Sequence, residues 1–120
     1  MPSVRIHHVA FRTEDLDVLE QFYTAVLGLA VVKRALGRSV WLDAGGSILM
    51  LERRGAGEPT VPVDSMELVA FAIAARDRAD VAARLASAGL RIEARTAYTL
   101  YVRDPDGRRI GLSSYPDELE

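Results

Sequence analysis

His7-His8-Val9-Ala10-Phe11-Arg12, near the start of the chain, is answered by Glu67-Leu68-Val69-Ala70-Phe71-Ala72, with Val-Ala-Phe shared at an offset of 60. A second pair of anchors keeps the same order: Ala25-Val26-Leu27-Gly28-Leu29 and Ala86-Ser87-Ala88-Gly89-Leu90, at an offset of 61. Two matched anchors, with one residue gained between them, read as one module written twice. The period is too long for the common solenoid repeats, and two copies are too few to stack as one. The expected organisation is a single domain over residues 1–120. Module one covers 1–54, a connector 55–65, module two 66–115 and a short acidic tail 116–120. Chemistry has to be sought where the copies differ. The sharpest difference is His8 against Leu68, because a leucine neither ligates a metal nor carries a proton.

Each module reads as βαβββ. Val4 to Thr13 alternates and is rich in β-branched and aromatic residues, which predicts a strand with Val9 and Phe11 toward the core and His8, Ala10 and Arg12 on the other face. His7 is expected to point away from His8. Asp15 is the predicted N-cap of a helix in which Leu16, Leu19, Phe22 or Tyr23, and Val26 or Leu27 recur at helical spacing until Gly28 supplies a left-handed end. Leu29 to Arg34 reads as a strand. Ser39 to Asp43 and Ser47 to Arg53 read as a hairpin turning through Ala44-Gly45-Gly46. Gly55, Gly57, Pro59 and Pro62 mark the connector. The pattern then restarts with a strand over Met66 to Ala74, a helix capped by Asp77 and running through Val81, Leu85 and Ala88, and a strand over Leu90 to Arg95. A last hairpin, Tyr98 to Arg103 and Arg108 to Ser114, turns through Asp104-Pro105-Asp106-Gly107, where Pro105 presets one dihedral and Gly107 accepts positive φ.

The chain has 120 residues, 49% hydrophobic and 27% charged, which is the balance of an ordinary folded globule. A net charge of −2 gives no broad attraction to nucleic acid or anionic membrane. With no cysteine there is no disulfide, no thiolate nucleophile and no cysteine-based zinc site. Arg5, Arg12, Glu14 and Asp15 interrupt the region where a signal peptide would have its apolar core. The longest apolar run, Leu68 to Ala75, falls far short of the roughly 20 residues a spanning helix needs. Cytoplasmic localisation is the expectation.

His8 before an apolar strand, the segment Phe22-Tyr23-Thr24-Ala25-Val26-Leu27-Gly28-Leu29, and Asp104-Pro105-Asp106-Gly107 leading into a second apolar strand together resemble the vicinal oxygen chelate superfamily. That superfamily includes glyoxalase I, fosfomycin-resistance proteins, extradiol dioxygenases and bleomycin-resistance proteins. The resemblance runs over essentially the whole chain. It implies an α+β fold in which two tandem βαβββ modules form an open, cup-shaped mixed sheet with helices on the outer face, often within a homodimer.

The resemblance also implies where metal ligands would stand, on the first and last strands of each module. The first-strand position of module one is His8, which fits. Its counterpart in module two is Leu68, and the last-strand position after Asp-Pro-Asp-Gly is Gly111. Glu52 serves only if its strand runs one register step further than Met50 indicates. Catalytic zinc takes three protein ligands and hard ions take several oxygens, so no metal and no other cofactor is expected. A dimer that exchanges modules leaves one Leu68 and one Gly111 in each cup.

The expected ligand-binding residues are His8, Ala10, Arg12, Trp41, Met50, Glu52, Leu68, Ala70, Thr99, Tyr101, Arg103, Gly111 and Ser113. The lining is mostly apolar with a few polar groups, the profile of a small-molecule site. Tyr101, Thr99 and Arg103 alternate toward the cup, while Leu100 and Val102 point to the helices. Trp41 fits either face by turn register, and the family resemblance places it at the pocket mouth. Arg12 and Arg103 are equally suited to an anionic ligand and to simple solvation at strand ends. Glu52 reads as a strand-end charge with a lesser option of meeting a cationic ligand. His8 reads first as a pocket-lining group and second as an acid-base catalyst. Three functional readings remain: a metal-free binding protein that sequesters an aromatic or other natural product, an enzyme, and an interaction module with a collapsed cup. The enzyme would be a metallo-lyase or dioxygenase with misregistered ligands, or a metal-free isomerase or lyase using His8. The expected partners are a small molecule and a second copy of the chain, with neither nucleic acid nor membrane.

Overall fold

The alternating, β-branched segments and the two amphipathic stretches fold into two compact units, Met1–Thr60 and Val61–Glu120, in a computed structural model that describes residues 1–119. Glu120, the last residue of the expected acidic tail, lies outside the described residues.

In the first unit the order is β1 (His8–Thr13), α1 (Leu16–Gln21), β2 (Ala30–Ala35), β3 (Ser39–Asp43) and β4 (Ile48–Arg53). The four strands form one mixed sheet in the order β1-β4-β3-β2, with β1 parallel to β4 and the other pairs antiparallel. One face is covered by the helix. Phe11 of β1, Val40 and Leu42 of β3, and Leu49 and Leu51 of β4 are buried there with Leu16, Leu19, Phe22 and Tyr23.

Asp15 caps α1 as expected, its side chain accepting from the Val18 amide at 3.1 Å. The helix then widens into a π-helical turn over Phe22–Val26, with the Leu27 amide donating to the Phe22 carbonyl at 3.1 Å. Helical spacing left Phe22 and Tyr23 as alternatives. The extra residue in the π turn lets both enter the core, packed edge to face at 4.8 Å. Gly28, at φ 83°, ends the element.

The second unit repeats the pattern: β5 (Leu68–Ala72), a 3₁₀ turn (Ala75–Asp77), α2 (Arg78–Ser87), β6 (Ala94–Arg95), β7 (Thr99–Arg103) and β8 (Arg109–Ser113). The sheet order is β5-β8-β7-β6, the same as in the first unit, again with the first and last strands parallel. Leu100, Val102, Ile110 and Leu112 form the core, and of α2 only Leu85 is buried. Asp104 is the buried pivot of the last hairpin. Its Oδ1 accepts from the amides of Asp106 and Arg108 at 2.9 and 3.0 Å, and Gly107 sits at φ 93°.

Several local expectations are corrected. The first strand starts at His8 rather than Val4, because its pairing with β4 begins at Ile48. The segment from Leu90 forms a ladder only at Ala94–Arg95; the Leu90 amide turns back to the Leu85 carbonyl at the helix end instead. Asp77 makes no side-chain cap, since the 3₁₀ turn delivers it to the helix in another geometry. Among the described residues no helix is long and apolar enough to cross a membrane.

Candidate functional site

Each sheet turns one face to its helix, and the other carries the residues expected from the sequence to line a ligand site. In module one the cross-strand rows of that second face are His8–Ile48–Asp43, Ala10–Met50–Trp41 and Arg12–Glu52–Ser39. In module two they are Leu68–Arg109–Arg103, Ala70–Gly111–Tyr101 and Ala72–Ser113–Thr99. The register makes the two faces equivalent row by row. Ala10 answers to Ala70, Met50 to Gly111 and Trp41 to Tyr101.

Trp41 therefore lies on the same face as Ala10 and Met50, half-buried, and an aromatic ring stands at the same place in both modules. Each ring also carries a cation. Lys33 Nζ lies 5.1 Å from the Trp41 ring centroid, and the Arg109 guanidinium lies 4.0 Å from that of Tyr101. Both contacts fall within the range of a cation–π attraction.

Neither cation was singled out from the sequence. Arg109 was there to be found, because it alternates with Gly111 and Ser113 on one strand. Lys33 was hidden by an irregularity in β2 between Val31 and Lys33, which turns Lys33 to the row of Trp41 although Val31 pairs with the core residue Leu42.

The charged candidates already have partners within the chain. Arg12 donates to both oxygens of Glu58 at 3.0 and 3.1 Å and sits 3.7 Å from Glu52, so it is committed to neutralising carboxylates. Glu52 accordingly meets a cation of its own chain. Glu58 is held below the ordinary carboxylate range chiefly by the Gly55 amide; burial opposes this and Arg12 adds to it. Arg103 donates from Nε to Glu93 at 2.8 Å and from Nη1 to the carbonyls of Ser65 and Gly107 at 2.7 and 3.2 Å. Glu93 is held low by Arg103 first and Arg109 next, against burial. Thr99 donates its hydroxyl to Ser113 at 2.9 Å, which leaves a neutral polar pair at the end of the module-two face.

His7 does not turn away from His8. It precedes the strand, where alternation does not bind it, and the two Nδ1 atoms lie 3.0 Å apart. One ring must donate and the other accept, so the pair holds at least one Nδ1–H tautomer.

A metal centre does not fit the residues present. Of the four positions that the superfamily resemblance assigns to ligands, His8, Met50, Leu68 and Gly111, His8 alone offers a nitrogen or oxygen donor. A Cβ at Gly111 would meet Ala70 Cβ and Thr99 Cγ2 at 3.3 Å and Leu68 Cδ1 at 3.5 Å, so that corner is filled by hydrocarbon. The module-one equivalent of Gly111 is Met50, and Glu52 stands one row beyond it beside Arg12. Among the described residues no group of three or more His, Cys, Asp or Glu side chains is placed to hold a metal ion.

Two clefts accompany these sheets, the second of them lined by Arg103 itself. One of about 260 Å³ in module one runs between α1 and β2, beside the Glu20–Arg34 ion pair. One of about 280 Å³ in module two is lined by Val61, Asp64, Glu93, Arg103 and Asp106, among others.

Comparison with known proteins agrees with this architecture. A family model described as Glyoxalase/Bleomycin resistance protein/Dioxygenase superfamily matches residues 5–112. A search of the curated proteins finds no match. Among solved structures, lactoylglutathione lyase from Agrobacterium tumefaciens is 22% identical with a TM-score of 0.74, covering 96% of each chain. The fosfomycin resistance protein FosX from Mesorhizobium loti is 20% identical with a TM-score of 0.76, over 92% of this chain and 90% of that one. A variant of the Listeria monocytogenes FosX, complexed with Mn(II) and 1S,2S-dihydroxypropylphosphonic acid, is 14% identical with a TM-score of 0.75, over 95% of this chain and 91% of that one. At such identities the likeness is one of fold.

Proposed function

The chain belongs to the glyoxalase/bleomycin resistance protein/dioxygenase superfamily, and on that premise we propose that it is a metal-independent small-molecule-binding protein that takes up an aromatic or other planar natural product. The observation that carries this reading is the row Ala–Met–Trp in module one repeated as Ala–Gly–Tyr in module two. Both rows offer a ring under a cation beside small or flexible apolar side chains. Such rings stack on planar ligands at little conformational cost, because their partners already hold them. The missing donors at Leu68 and Gly111 support binding over metal-assisted chemistry.

The test is a thermal-shift screen against a panel of aromatic antibiotics that also includes fosfomycin and lactoylglutathione. A ligand present at 100 times its Kd stabilises by about 2.7 kcal/mol. At least one planar compound is expected to raise Tm, and the gain is expected to fall in Trp41→Ala or in Tyr101→Ala, according to which module's ring it stacks on. A stabilising compound indifferent to both substitutions would contradict the assignment.

A second reading is favoured by the His7–His8 contact. Two imidazoles sharing a proton beside the ligand face are suited to acid-base transfer in a metal-free isomerase or lyase. Turnover of any panel compound that is lost in His8→Ala would replace the binding reading with this one.

A further inference from the structure

We infer that module two carries an anion-binding site built on Arg109, and that the ligand bears a carboxylate or phosphoryl group. The inference deepens the small-molecule reading and rests on it.

Arg109 is fixed before any ligand arrives. Its guanidinium lies 4.0 Å from the Tyr101 ring centroid, its Nε donates to Glu93 Oε2 at 3.2 Å, and its side chain is only 15% exposed. The terminal nitrogens Nη1 and Nη2 donate to no acceptor among the described residues, and neither is sealed from solvent. What remains is a planar, pre-aimed fork of donors, the shape that two oxygens of a carboxylate or phosphate match.

The local charge count leads the same way. Arg103 and Arg109 share the single carboxylate of Glu93, one on each oxygen, so two cations meet one anion in this cluster; Asp64, which lines the cleft beside Arg103, forms no ion pair with either among the described residues. Arg103 is spent on Glu93, Ser65 and Gly107, which leaves Arg109 as the group that delivers the second positive charge. The nearby Asp106 carboxylate is occupied by Arg108 at 2.8 Å. The fold does not require a cation here, because the equivalent position in module one is Ile48, paired with His8 as Arg109 is paired with Leu68. An arginine held this rigidly on an aromatic ring, with its fork left open, is a device for orienting a charged end while Tyr101 takes the planar body.

The experiment uses two probes of one shape, 2-naphthoate and its neutral isostere 2-naphthamide, titrated into the full chain. NMR follows the amides of both sheets and the Arg109 Nε–Hε resonance. Charge-assisted hydrogen bonds of this kind favour naphthoate by about tenfold. Arg109→Gln is expected to bring naphthoate down to the naphthamide level. Arg109→Lys, which keeps the charge and much of the packing but not the fork, is expected to retain only part of the preference, so the test survives if the glutamine variant fails to fold. Equal binding of the two probes by the unaltered protein, with shifts on the sheet faces, overturns the anion site and leaves the small-molecule reading standing. Shifts confined to residues outside both sheet faces overturn both. An Arg109 resonance moved by neither naphthoate nor inorganic phosphate also overturns the site.

Discussion

Module one and module two share a strand order and a row-by-row register, yet they spend their side chains differently on both faces. On the helix side, α1 and the π turn send Leu16, Leu19, Phe22 and Tyr23 into the core, whereas α2 sends only Leu85. On the open side, module one offers His8, Met50 and Trp41 where module two offers Leu68, Gly111 and Tyr101. The duplication preserved backbone pairing, which is a matter of hydrogen bonds and alternation. It left the side chains free to differ, and at Leu68 and Gly111 neither offers the donor that a metal ion, which needs several at once, would require.

The helix comparison makes the largest prediction. Leu19 is fully buried, so Leu19→Ala is expected to cost about 2–5 kcal/mol by denaturant unfolding. Val81, the corresponding apolar stripe residue on α2, is only half-buried, and Val81→Ala is expected to cost about 1 kcal/mol or less. Equal costs would mean that the second helix packs as deeply as the first, and the contrast between the modules would fail.

A smaller effect distinguishes the modules by pH. Glu20 of α1 is held below its ordinary range chiefly by the hydrogen bond from Arg34 of β2; burial opposes this and the Arg34 charge adds to it. A carboxyl lowered in the folded state contributes stability above its unfolded value and loses it as pH falls through the folded value. The pair is partly exposed and screened by solvent, so the contribution is expected to be small. It ties helix to edge strand, whereas among the described residues α2 makes no ion pair to β6. Glu20→Gln should flatten the acid limb of the stability curve between neutral pH and the folded value while leaving stability at still lower pH nearly unchanged. A curve that keeps its slope would show that the pair contributes nothing.

Much of this was legible in the sequence because it follows from local rules. Val9 and Phe11 alternate with His8, Ala10 and Arg12, and the sheet faces follow. Asp15, Gly28 and the Asp104-Pro105-Asp106-Gly107 turn act within a few residues of themselves, and each does what its chemistry suggests. What escaped depended on distant partners or on broken periods. Arg12 is claimed by Glu58, 46 positions away, which no strand pattern reveals. Lys33 reaches Trp41 only because β2 slips its register, and Phe22 and Tyr23 are both buried only because a π turn interrupts the helix. Leu90 looked like the start of a strand, but its amide is used by the preceding helix end.

We propose a chain whose open faces take a ligand without a metal ion, and the metal content of the protein decides between that and a metal-dependent site. Protein isolated without chelator, incubated with zinc, nickel, manganese and iron(II) in turn and freed of excess by dialysis, would be analysed for metal per chain. The lone donor at His8, the hydrocarbon around Gly111 and the Arg12 partnership of Glu52 predict a substoichiometric residue that Arg12→Ala or His8→Ala does not change. One tightly held metal per chain, lost in His8→Ala, would contradict the claim.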